Sequence, residues 1–217
     1  MFSETVLAKV TQLFPDVKID YKNNSTLMKI LGKIMFIAPT FMSSYTTTVG
    51  SAIYFPSEEF VNARPESSLV ILLHELVHVT DAHKLTKPLF GFLYLSPQIL
   101  IFAAALLFLI SWKVALPLLL LFGAPVPSYF RMLFERRAYM ASLYSMKKLN
   151  DKYGNNIDLD AEMKFFLTQF KGPAYYFMYP FSNLDTQFAN ALQKIKNNQR
   201  PYEDKVFDVL DEILAVA

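Results

Sequence analysis

The chain has no cysteine among its 217 residues. That excludes disulfides, thiol nucleophiles and thiolate metal ligands, and it leaves any metal to nitrogen and oxygen donors. Charge is also scarce. Only 18% of residues are charged, the formal net charge is +2, and no basic run interleaved with aromatics occurs, so nucleic acid is not an expected partner. The opening Met1-Phe2-Ser3-Glu4-Thr5 lacks the basic region and apolar core of a signal peptide, and the first helix is expected to stay on the side of a membrane where it is made. Internal repeats and low-complexity segments are lacking too.

What the sequence has in excess is apolar. Hydrophobic residues make up 53% of the chain, and the surplus is concentrated: Pro88 to Trp112 carries no charge, Ile99 to Ile110 is unbroken apolar sequence, and after Lys113 the charge-free stretch resumes from Val114 to Phe130. These segments read as two back-to-back hydrophobic helices, a hairpin that anchors the chain in membrane lipid. The first is long enough to cross a hydrocarbon core of roughly 30 Å; the second, interrupted by Pro117, Gly123, Pro125 and Pro127, is marginal, with half-insertion as a variant. Burial of the hairpin within a larger assembly is the alternative. Lys84, Lys87, Arg131, Arg136 and Arg137 flank the hairpin and only Lys113 stands at its tip, so both ends, and the catalytic part with them, are expected to face the cytoplasm. Residues 1–87 and 131–217 then form one domain and 88–130 its insertion.

Elsewhere periodicity predicts a helix over 4–14, a strand over Val17–Tyr21 and a helix from Ser25 to Ile37 closed by Ala38-Pro39. Thr46–Val49 and Ser51–Phe55 read as β structure around Gly50, either one bulged strand or a tight hairpin. A helix is expected from Glu66 to about Lys84, opened by Pro65, and further helices over 131–152, 161–171 and 203–216, with an aromatic cluster between the last two.

His74-Glu75-Leu76-Val77-His78 lies inside the helix predicted from Leu69, Val70, Leu72, Leu73, Leu76 and Val77. Two histidines four apart stand about 40° apart on a helix, so both imidazoles can reach one ion while Glu75 addresses a water beside it. A catalytic zinc takes three protein ligands and keeps a fourth position open, so a third ligand is required. His83 lies five residues past His78 and is turned about 140° away on a continuing helix, which favours its reading as a helix-end histidine. Glu135 is the better candidate, an acid in an apolar helical run that returns from the hairpin to the same cleft. Its alternative role is a surface acid beside Arg136 and Arg137, and Glu66, Glu58 and Asp81 are weaker rivals for the metal.

With His83, the following hairpin, and Glu135 followed by x-x-Ala138 on a helix, this motif resembles the gluzincin-type integral-membrane zinc endopeptidases that include the CAAX prenyl proteases and the bacterial heat-shock membrane protease. The resemblance covers about residues 45 to 145. It implies a mostly helical α+β, zincin-like metallopeptidase domain with a small sheet and an inserted transmembrane hairpin. It also implies one Zn2+ per chain on His74, His78 and Glu135, with Thr46–Phe55 supplying an edge strand that pairs with an extended polypeptide substrate. The chain departs from the family where Tyr139 stands in place of an aspartate that orients a zinc-binding histidine, a duty left to Asp81 or to Tyr139 itself. Glu75 is the expected general base in peptide hydrolysis. Oxyanion donors are sought among Tyr139, Tyr175, Tyr176 and Tyr179, with His83 a further residue near the site; the segment from Gly172 to Phe181 has core packing or an interfacial belt as its other reading. A non-catalytic zincin-like module that binds membrane or an assembly is the second functional expectation.

Overall fold

Helix α1 (Glu4–Leu13) is capped by Ser3, whose hydroxyl accepts from the Val6 N–H, and it buries Val6 and Val10. The computed structural model describes residues 2–34, 40–123, 127–172 and 183–217. Strand β1 (Lys18–Tyr21) follows, then α2 (Thr26–Ile34); residues 35–37 of the predicted second helix lie outside the described residues.

The region around Gly50 is a hairpin and not one bulged strand. Strands β2 (Thr47–Val49) and β3 (Ala52–Phe55) pair antiparallel, with Thr48 opposite Ile53, and Gly50 supplies the positive φ of 64° that the tight turn needs. β1 pairs parallel to β3, so the sheet order is β1-β3-β2. Ile53 and Phe55 point into the core, and β2 is left as a short edge strand against the metal-motif helix.

A short helix α3 (Glu58–Ala63) leads into α4 (Pro65–Leu85), which carries the His-Glu-x-x-His segment. Pro65 and Glu66 begin α4 and His83 and Lys84 lie in its last turn, each suited to the helix end it occupies. Thr86, at φ 72°, turns the chain sharply into α5 (Lys87–Leu95). The continuous first hydrophobic helix expected from Pro88 does not form. Pro97 excludes Ser96 from the α region, Ser96 is extended, and the chain bends by 81° before α6 (Leu100–Leu106) and a 3₁₀ turn, Leu107–Leu109. No single helix among the described residues is long and apolar enough to cross a membrane. α7 (Trp112–Gly123) completes a hairpin with α6, while α5 packs on the core helices.

The long α8 (Tyr129–Tyr153) lies along α4 and ends at Gly154 in the left-handed conformation. α9 (Leu159–Lys171), capped by Asp158, α10 (Asn183–Lys196) and α11 (Val206–Val216) close the core. Sequence periodicity left α10 unread, although Leu184, Phe188, Ala191, Leu192 and Ile195 form its buried stripe. One core joins α1, β3, α4 and α8 to α11, with Leu72, Leu73, Leu76, Val77, Ala141 and Leu143 at its centre.

Candidate metal centre

α4 and α8 are held face to face by that core, and their facing turns bring His74, His78 and Glu135 together. His74 Nε2 lies 3.3 Å from Glu135 Oε2, and His78 Nε2 lies 3.7 Å from Glu135 Oε1. A tetrahedral ion with bonds of about 2.0–2.1 Å has ligand-to-ligand edges of about 3.3 Å; the His74–Glu135 pair matches that edge, the His78–Glu135 pair is wider, and the three ligand atoms all lie within 4.8 Å of one another. Glu135 is 2% exposed. Its Oε2 and the Nδ1 of His78 are buried without a hydrogen-bond partner among the described residues, a condition tolerated where another charge satisfies the group. The donor set, two imidazoles and a carboxylate, suits a borderline divalent ion. This group could hold a metal ion.

Electrostatics agree. Burial by itself pushes the His78 imidazole down, but the Glu135 carboxylate against it prevails and holds it above its ordinary value. Burial likewise penalises the Glu135 carboxylate, which His78 and His74 nevertheless hold well below the usual range. The carboxylate is therefore ionised and available as a ligand.

Glu75 is turned towards the sheet, where its Oε2 accepts from Thr48 Oγ1 at 2.7 Å. The edge strand β2 thus holds the acidic side chain that directly follows His74 and lies between the two histidines in sequence. Behind it, Lys22 is wholly buried; its Nζ donates to the Phe41 carbonyl at 2.6 Å and lies 3.7 Å over the Phe41 ring. Burial pulls the Lys22 ammonium down to about 8, with Glu75 acting to raise it.

The alternative reading of Glu135 as a partner of Arg136 and Arg137 does not hold. Arg136 reaches Gln187, and Arg137 pairs with Asp81 and, at 2.7 Å, with Asp204. These contacts also remove Asp81 from contention as a ligand, and Glu66 accepts from Asn155. Glu58 lies in the first turn of α3 and does not join the group. His83 is not at the centre either. Its Nε2 is 3.0 Å from Asp16, whose carboxylate also takes Ser51 and Lys87 and is held far below its usual range, chiefly by the Ser51 hydroxyl and Lys87. The cause is the helical rotation past His78.

The Tyr139 ring packs edge-on against His74 at 4.9 Å and tilted against Phe166 at 4.5 Å, a wall of the site. Tyr175, Tyr176 and Tyr179 lie outside the described residues. Three residues were missed by the sequence reading. Ser142 Oγ is 3.2 Å from His74 Nδ1; the seven-residue step from Glu135, nearly two turns, was the available signal. Tyr94 on α5 donates its hydroxyl proton to Glu135 Oε1 and its ring lies edge-to-face 5.7 Å from His78, which needed the bend at Ser96 to be known. Thr48 was recognisable only as part of a strand.

No protein-family model, no curated protein and no solved structure matches this chain.

Proposed function

We propose that the chain is a zinc-dependent endopeptidase with His74, His78 and Glu135 as metal ligands and Glu75 as general base. The observation that carries the reading is the closure of the helical His-Glu-x-x-His segment by a buried glutamate at 3.3 and 3.7 Å, with Glu75 of the same helix hydrogen-bonded to Thr48 on the edge strand β2. The resemblance to membrane zinc endopeptidases points the same way. A bound zinc ion supplies Lewis-acid polarisation of a water and of the scissile carbonyl. An extended polypeptide would pair with the outer edge of β2, the last strand of the sheet among the described residues. Glu75 takes a proton from the attacking water as its oxygen bonds to the carbonyl carbon, and returns that proton to the amide nitrogen as the C–N bond breaks. Thr48 keeps the Glu75 carboxylate oriented through this exchange.

The test is zinc content of the purified protein by mass spectrometry, beside His74→Ala, Glu135→Ala and Glu75→Gln, with casein cleavage as the activity. One zinc per chain, lost in the first two variants and kept in a silent Glu75→Gln, supports the proposal. A zinc-free wild type refutes it. The burial of Glu75, His78 and Glu135 favours a second reading, a non-catalytic metal-stabilised module; zinc bound by wild type with no cleavage in any lipid or detergent condition selects it.

A further inference from the structure

The hairpin of α6 and α7 is packed inside out. Its buried residues are the small ones, Ala104 and Ala115 at 2% and 0% exposure, while Phe102, Leu109 and Ile110 point outwards at 71%, 87% and 82%. In water the large side chains would turn inwards. Close contact through small residues with large aliphatic groups outside is how helices pack when the surroundings are as apolar as leucine. A docked protein would cover one side, whereas this hairpin is apolar all round, so the occupant that matches is lipid.

Its reach is short. Leu100–Leu109 extends about 16 Å and Trp112–Gly123 about 18 Å, against a hydrocarbon thickness of roughly 30 Å. In sequence, Lys84 precedes α5, Lys87 opens it and Arg131 follows the hairpin, and cations flanking an apolar segment suit anionic headgroups. The 81° bend lays α5 across the hairpin axis. One side of α5 carries Phe90 and Tyr94 against His78 and Glu135, and the other carries Leu89, Phe92 and Leu95, exposed and continuous in sequence with the hairpin. A helix with an apolar outer face in that position lies in the plane of the interface.

We infer that the α6–α7 hairpin enters a single leaflet of a lipid bilayer, with α5 in the interface, and so holds the metal centre at the lipid surface. Resting on the endopeptidase reading, the substrates are polypeptide segments lying on that same surface.

Trp112, the one tryptophan of the chain, stands at the hairpin tip and reports its depth. The full chain is mixed with vesicles of phosphatidylcholine and phosphatidylglycerol, including lipids brominated at defined acyl positions, with and without a zinc chelator. The expected result is a blue shift of Trp112 emission and strongest quenching by bromines near the acyl-chain ends. Lys113→Leu should then tighten vesicle binding by more than about tenfold, since the charge no longer has to enter the hydrocarbon. An unchanged spectrum overturns the proposal, as would a tip buried in a second copy or in a partner. Quenching by iodide trapped inside the vesicles, with Lys113→Leu weakening binding, also overturns it, because the hairpin would then span. Insertion without zinc or cleavage leaves this inference standing and removes only the peptidase reading.

Discussion

Ser142 Oγ lies 3.2 Å from His74 Nδ1 and donates its own proton to the Ala138 carbonyl at 3.1 Å. With that proton committed, the oxygen is free to accept from His74 Nδ1, a contact that orients the ring with Nε2 facing Glu135. Under the proposed zinc site, the Ser142 hydroxyl, one turn further along α8, would stand in for the acid that the resemblance expects four residues after Glu135. Ser142→Ala should therefore weaken zinc binding by about tenfold or more, while circular dichroism stays unchanged. Competition with a chromophoric chelator measures it, and unaltered affinity would show that the contact orients nothing.

Thr48→Val removes the hydroxyl that holds Glu75 and keeps the shape of β2. A hydrogen bond to a charged group contributes about 1.5–3 kcal/mol, so kcat should fall at least tenfold with zinc content unchanged. Loss of zinc in this variant would instead mean that Thr48 supports the ligands themselves.

Arg137 bridges Asp81 on α4 and Asp204 ahead of α11 from a largely buried position on α8. Arg137→Met strands two carboxylates, one of them buried, and should lower stability by about 3 kcal/mol in urea titration. A change under about 1 kcal/mol would show that the pair is no more than a surface contact.

The metal-free centre has a predictable pH response. His78 is held above its ordinary 6.5, so its contribution to stability is full below that value and is lost as pH rises through the folded pKa. Glu135 is held below 4.5, so its contribution is full above that value and is lost as pH falls through the folded one. Chelator-treated protein should thus be most stable between about pH 4.5 and 6.5 and lose Tm above that window. Zinc needs His78 without its proton, and its stabilising effect should grow over the same rise in pH. Calorimetry with and without zinc tests this; a flat metal-free Tm from about pH 6 to 8 would contradict the assigned shift.

Much of the architecture was readable because it is local. The 3.6-residue apolar repeat marks α1, α4, α8, α9 and α11, and β-branched residues around Gly50 mark the β2–β3 hairpin. The repeat in α10 was equally present but went unread behind the aromatic cluster that precedes it. The break at Ser96 was also written in the sequence, as Pro97, but composition outweighed it: a charge-free run invites one long helix, while a single proline decides where the helix stops.

By itself, the sequence determined which residues share a helix face. His74, Glu75 and His78 follow from a four-residue step, and the absence of cysteine confined any metal to their kind of donor. Only the tertiary structure decided what meets that face. Glu135, Ser142, Thr48 and Tyr94 reach the site from three other elements, 27 to 68 residues away from their partners in the chain. Their arrival depends on how α4, α8, α5 and β2 pack, and packing is set by the complementarity of whole surfaces, which no local spacing records. The same reason separates Arg136 and Arg137 from Glu135: adjacent in sequence, they project from α8 in different directions and find different partners.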